Sequence, residues 1–80
     1  MRQYAYVSGY VDRIKAISDA TRFRLLRVLV EAATPLCEAE LVDIVRRPQY
    51  AVSKAMKQLE RAGLVDVSRS GKLRFFAPAD

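Results

Sequence analysis

Residues 46–63 read Arg46-Arg47-Pro48-Gln49-Tyr50-Ala51-Val52-Ser53-Lys54-Ala55-Met56-Lys57-Gln58-Leu59-Glu60-Arg61-Ala62-Gly63, and the rest of the chain is read outward from them. Pro48 suits the first turn of a helix, and Gly63 marks its end. At about 100° per residue, Val52, Met56 and Leu59 fall on one side of that helix. Gln49, Tyr50, Ser53, Lys54 and Lys57 fall on roughly the opposite side. The second face holds donors, acceptors and positive charge but no carboxylate. Side chains of this kind read base edges and hold phosphates in a major groove. An ordinary amphipathic helix with a soluble face would show the same two sides, so the neighbouring segments have to decide.

Upstream, residues 38–45 predict a short helix with Leu41, Ile44 and Val45 facing inward. Cys37 sits at its N-cap with Glu40 three residues on, the spacing of a capping box. Only Arg46-Arg47 separates this helix from the next, so residues 38–62 have helix-turn-helix spacing. Before it, Ser18 or Asp19 caps a helix running to about Ala32. Phe23, Leu26 and Val30 make its apolar stripe, widened by Leu25 and Leu29, and Thr34-Pro35 breaks it. A first helix is expected from about Gly9 to Ile17 with Ser8 at its start. Residues 1–7 read as a helical extension or as an extended arm.

Downstream the period changes from helical to alternating. Residues 64–69 and 72–77 read as two strands around a Ser70-Gly71 turn, ended by Pro78. Leu73 and Phe75 or Phe76 are expected to hold the hairpin on the domain. Arg69, Lys72 and Arg74 cluster at its turn, where a protruding basic loop reaches phosphates or a minor groove. The same charges also protect strand edges from aggregation. The fold class is therefore mainly α with a small β-hairpin, a winged helix-turn-helix. One DNA-binding domain is expected over residues 1–80: an N-terminal arm or helix at 1–17, the helix-turn-helix at 38–62 and the wing at 64–77.

Charge supports the same reading. Among residues 46–79 there are eight basic side chains and two acidic ones, whereas residues 1–45 carry six of each. Clustered Lys and Arg attract phosphate backbones, although a solvated basic surface has the same composition. The chain has 80 residues, no His and a single Cys. A domain this short buries only about 60% of its unfolded surface and gains from a partner subunit. No stretch approaches the ~18 apolar residues of a membrane span. The first residues lack the apolar core of a secretory signal, and Cys37 has no partner for an internal disulfide. A cytoplasmic protein with no membrane contact is expected. Neither a nucleophile motif, a phosphate-binding glycine loop nor a metal-ligand cluster is present, so an enzyme is not expected and no cofactor is implied.

Three segments together resemble the arsenic-repressor-like (ArsR/SmtB) family. Residues 17–26, Ile17-Ser18-Asp19-Ala20-Thr21-Arg22-Phe23-Arg24-Leu25-Leu26, are similar to its second-helix signature. Glu40-Leu41 followed by residues 52–59 resembles its helix-turn-helix. Glu60-Arg61-Ala62-Gly63-Leu64-Val65 resembles the junction into its wing. The match covers about residues 10–77. The resemblance implies a homodimeric prokaryotic regulator, often a repressor released by a metal or another signal. It also implies that Gln49, Tyr50, Ser53 and Lys54 read DNA.

Departures from the family pattern are equally specific. Metal-sensing members carry a Cys-x-Cys pair at the start of the third helix, where this chain has Cys37 and Ala39. Another family site uses His and carboxylates after the wing, and this chain has no His and ends at the wing. No metal site is therefore expected, since one thiolate does not satisfy zinc or a soft metal. Arg46 and Arg47 stand where the family usually has a glycine and an apolar residue. The family pairs through its first and last helices, which leaves the N-terminal segment here. Tyr4, Tyr6, Val7, Tyr10, Val11 and Ile14 form an aromatic surface suited to an interface, or else pack on the second helix of the same subunit.

The expected function is sequence-specific binding of double-stranded DNA by a homodimer, carried by Arg46, Arg47, Gln49, Tyr50, Ser53, Lys54, Lys57, Arg69, Lys72 and Arg74. Two alternatives stay open. One is a winged-helix protein-interaction module within a larger assembly, which salt-dependent DNA binding would separate. The other is a redox-responsive DNA binder using Cys37, which would lose its response in Cys37→Ser.

Overall fold

In the computed structural model the backbone is described for residues 2–79 and the side chains for residues 9–79. The side chains of Tyr4, Tyr6 and Val7 lie outside the described residues. The element order is α1 (Arg2–Ile17), α2 (Ala20–Ala32), β1 (Leu36–Cys37), α3 (Glu38–Val45), α4 (Gln49–Arg61), β2 (Val65–Ser70) and β3 (Leu73–Pro78). Helices α2, α3 and α4 pack against a three-stranded antiparallel sheet of order β1-β3-β2, and α1 packs on α2 and α4. This is a winged helix-turn-helix.

Buried side chains come from every element of that list. Leu25 and Leu29 of α2, Leu41 and Val45 of α3, and Val52, Ala55, Met56 and Leu59 of α4 form one cluster. Ala16, Leu36, Val65 and Phe76 close it. Each fully buried Leu stabilises the fold by roughly 1.5–3 kcal/mol. Periodicity selects the right face of α4 for this core. On α2 and α3 it does not do so completely. Phe23 and Val30 are 51% and 60% exposed, while Leu25 and Leu29 are fully buried. The expected stripe is thus turned, because α2 lies between α1, α4 and β3 and buries the Leu25–Leu29 ridge against them. Ile44 of α3 is likewise exposed rather than inward. With only two turns, α3 buries Leu41 and Val45, one above the other at i and i+4.

Local signals set the helix ends. Asp19 is the N-cap of α2, and its Oδ1 accepts from the Arg22 backbone N–H at 3.0 Å. The Arg22 N–H holds the Asp19 carboxyl below its ordinary range, opposed by desolvation and helped by the Arg22 charge. A depressed folded pKa contributes stability above the unfolded value, which is lost as pH falls through the folded one. Asp19→Ala should therefore lower the melting temperature by a few degrees at neutral pH, with the difference from wild type shrinking in acid. Thermal melts at pH 7 and pH 3 measure this. A difference that grows in acid contradicts the assignment. At the α3 start, Glu40 accepts from the Cys37 N–H at 3.0 Å, which completes the expected reciprocal cap and lowers the Glu40 pKa.

Arg22 ties three helices together. Its Nε and Nη2 donate to the last-turn carbonyls of α1, at Ala16 (2.6 Å) and Lys15 (3.1 Å). Its Nη1 donates to Gln58 Oε1 of α4 at 2.9 Å. The α1–α2 corner is thereby tied to α4.

At the far end of α4, the Gly63 N–H donates to Glu60 O and the Leu64 N–H to Leu59 O, at 2.9 and 3.0 Å. This is a Schellman stop, and Gly63 at φ 78° supplies the left-handed residue it needs. Because Leu64 completes this cap, the hairpin begins one residue later than expected. Ser70 pairs with Leu73 around a Gly71-Lys72 turn, displacing the expected Ser70-Gly71 turn. Gly71 at φ 62° takes the first central position of a primed turn. Leu73 is exposed beside the tip, so it does not hold the wing to the domain; Phe76 and Val65 do. Strand β1 was not expected. Its two residues pair as Leu36↔Phe76 and Cys37↔Phe75, and two residues carry no readable period.

Candidate nucleic-acid interface

Burying Val52, Ala55, Met56 and Leu59 fixes the rotation of α4. The opposite face is then presented outward: Gln49, Lys54 and Lys57 are exposed, Ser53 is half-buried, and Tyr50 is 77% exposed. Tyr50, Ser53, Lys54, Lys57, Gln58 and Arg61 line one shallow groove along this helix, without a carboxylate.

Two flanks border the helix. On one, Gln49 shares a groove with Cys37, Glu38, Asp43, Lys72 and Arg74, so the start of α4 adjoins the wing. Arg69 and Lys72 are exposed. Arg74 is half-buried, lies over the Phe76 ring at 5.7 Å, and reaches Glu38 Oε2 at 3.9 Å. Its charge is thus partly engaged within the domain. Arg69 and Arg74 are direct cross-strand neighbours. Like charges in that arrangement repel, which an anionic partner would relieve.

On the other flank, Thr21 of α2 shares a groove with Asp19, Tyr50, Lys54 and Gln58. The α3–α4 turn adjoins it. Arg46 ends α3 in the left-handed region at φ 54°, its N–H donating to Val42 O at 2.9 Å. Arg47 Nη2 lies 3.4 Å from Thr21 Oγ1. Arg24 Nη1 donates to Val45 O at 3.2 Å.

The ten polar residues singled out from the sequence therefore lie along α4, at the turn before it and on the wing. Three that were not singled out lie beside them: Thr21, Arg24 and Arg61. Arg61 was visible within the basic excess. Thr21 and Arg24 were not, because α2 is remote in sequence from the turn it packs against.

Tyr10, Val11 and Ile14 of α1 are exposed, at 61%, 40% and 63%. Arg13 lies over the Tyr10 ring at 5.8 Å. Among the described residues no helix is long and apolar enough to cross a membrane, and no three His, Cys, Asp or Glu side chains gather as a metal-binding group.

Comparison with known proteins gives consistent likenesses. Residues 17–68 match a family described as a helix-turn-helix domain. An uncharacterized HTH-type transcriptional regulator of Methanocaldococcus jannaschii is 30% identical over 66 residues, covering 82% of this chain and 73% of that protein. A Halobacterium salinarum protein whose name is that of an arsenical resistance operon repressor is 34% identical over 67 residues, covering 84% of this chain. This chain spans 56% of that relative's length. Among solved structures, reduced HlyU from Vibrio cholerae superposes with a TM-score of 0.85 at 23% identity, covering 99% of this chain and 81% of that one. The homodimeric winged helix-turn-helix DNA-binding domain of Mb0332 from Mycobacterium bovis gives a TM-score of 0.89 at 20% identity, over 99% and 71%.

Proposed function

The chain belongs to the ArsR/SmtB-like family of winged helix-turn-helix transcriptional regulators, and from that premise we propose that it binds duplex DNA sequence-specifically as a homodimeric repressor. One observation carries the reading: the outward face of α4 over residues 49–57, which holds no carboxylate, stands between a basic turn and a basic wing. Gln49, Tyr50, Ser53 and Lys54 enter the major groove and read base edges. Lys57, Arg46 and Arg47 hold phosphates beside them, while Arg69, Lys72 and Arg74 of the wing reach the adjoining backbone or minor groove. Repression is supported by the name of the Halobacterium relative.

Two copies pair through α1. The exposure of Tyr10, Val11 and Ile14 supports this, as does the homodimer described for the Mycobacterium domain. Tyr4, Tyr6 and Val7 are proposed as seam residues from the sequence alone. Half-sites would then lie about 34–36 Å apart, one turn of duplex. The regulator works without a thiolate metal site of the family type, since Ala39 stands two residues after Cys37, where a second Cys would be needed.

Selection of bound duplexes from a random pool tests the whole reading, and a palindromic motif is expected. Binding to that motif should weaken with salt, each neutralised phosphate adding about −0.9 to the slope of log affinity against log salt. Salt-insensitive or absent binding would move the reading to a protein-interaction module.

Helix and wing should separate in mutants. Gln49→Ala or Lys54→Ala is expected to cost roughly 1–3 kcal/mol of specific binding and to relax the preferred sequence. Arg69→Ala or Lys72→Ala should weaken all sequences alike. Unchanged preference in both helix variants, measured by repeating the selection, removes α4 as the reader.

A further inference from the structure

We infer that the groove between the first turn of α2 and the α3–α4 turn, walled by Arg24, Arg46 and Arg47, is a seat for one backbone phosphate of the duplex. The inference rests on the DNA reading above and extends the footprint onto α2, from which nothing had been assigned to DNA.

The groove has a volume of about 400 Å³ and is lined by Ala20, Thr21, Arg24, Val45, Arg46 and Arg47. Three arginines thus line one open concavity with no carboxylate in its lining. The Asp19 carboxylate feels the Arg47 charge, but it is already engaged as the α2 cap by the Arg22 N–H. Three like charges around one groove repel one another unless an anion enters. A phosphate, with several acceptor oxygens and an affinity for the planar guanidinium fork, matches that demand.

Arg46 supplies a second, independent observation. Its φ of 54° is a conformation in which Cβ crowds the backbone of any L residue. Glycine would meet this turn without that cost. Among the described residues the Arg46 side chain makes no hydrogen bond or ion pair that would offset it. The side chain therefore contributes nothing visible to the folded domain and is available for a ligand. Arg24 and Arg47 are differently placed. Each uses one nitrogen on the domain, Arg24 on Val45 O and Arg47 weakly on Thr21 Oγ1, and keeps other N–H groups for an incoming oxygen.

Position makes the ligand a duplex phosphate. Thr21 lines this groove and also the neighbouring one that holds Tyr50 and Lys54. The seat is therefore continuous with the outward face of α4, on the side opposite the wing. A duplex read by α4 would have its backbone held on both flanks, by the wing on one and by this seat on the other.

The test uses the whole chain and a duplex carrying its selected motif. Arg24→Gln and Arg46→Gly should each make the slope of log affinity against log salt shallower by about 1.8, one phosphate from each of the two subunits, and weaken binding of the full motif roughly 30- to 100-fold near 0.1 M salt. The preferred sequence should not change. Arg46→Gly should at the same time raise the melting temperature, because it relieves the backbone while removing the charge. Opposite signs for stability and binding distinguish a ligand-holding residue from a structural one, and they keep the test valid should Arg24→Gln impair folding. Arg27→Gln removes equal charge from a residue already paired with Glu31, and should leave the slope as in wild type. A steep wild-type slope that Arg24→Gln and Arg46→Gly leave intact overturns the seat but not the DNA reading. A wild type that binds no duplex overturns both. Titration with inorganic phosphate, followed by melting temperature, covers the other source of the same chemistry. Submillimolar phosphate binding that is lost in Arg46→Gly, with the duplex slope intact, would make the groove a free-anion site and overturn the proposal.

Discussion

Phe76→Ala is expected to destabilise the domain by about 3–5 kcal/mol, the usual range for removing a buried aromatic ring. Phe76 is 2% exposed and is the largest of the fully buried side chains. It is also the junction of the sheet, since β3 pairs there with Leu36 of β1 and Val67 of β2 at once. The Arg74 guanidinium loses the ring over which it lies. Domains of this length are stable by roughly 4–12 kcal/mol in total, at about 0.05–0.15 kcal/mol per residue. One truncation therefore removes a large share of the stability, and the wing should lose its seat first. Urea unfolding followed by circular dichroism measures the loss. A change under 1 kcal/mol would mean that the wing is held by other contacts. Leu73→Ala, at the exposed tip, is the matched comparison and should cost little.

Replacing Tyr10 and Ile14 together by Glu should give a folded monomer whose affinity for the palindromic motif falls about 100- to 10,000-fold. The magnitude is that of losing a second, linked binding event. Both side chains are more than half exposed, so charged replacements do not enter the subunit core. Within the interface, two carboxylates from each copy would face each other without compensation. Light scattering gives the mass, and titration with full and half motifs gives the affinity. The variant should bind the half motif as wild type does and lose only the advantage of the full one. Should the variant stay dimeric with unchanged affinity, or should wild type be monomeric at high micromolar concentration yet bind a half motif tightly, the α1 seam is wrong.

The two perturbations act on different links of one structure. Arg22 joins the α1 corner to Gln58 of α4, so α1 and α4 are held in one frame. Displacement of α1 would be felt at α4 through that side chain.

Much of this was legible in the residues. Residues 46–63 state the outward and buried faces of α4 without ambiguity, because a 13-residue helix repeats its period often enough for one face to stand out. Gly63 announces the stop, since few other residues adopt its conformation cheaply. The cap at Cys37 and Glu40 is local and is readable as such. Tertiary structure decided what local pattern leaves degenerate. On α2 two adjacent apolar ridges compete, Phe23–Val30 and Leu25–Leu29, and only packing against α1, α4 and β3 selects the second. On α3 the same ambiguity exposes Ile44. Strand β1 exists because β3 offers an unpaired edge to Leu36 and Cys37, a relation between residues some 40 positions apart. The gathering of Arg24, Arg46 and Arg47 around Thr21 has the same origin. Periodicity is a property of neighbours along the chain, and a groove between α2 and the α3–α4 turn is a property of neighbours in space.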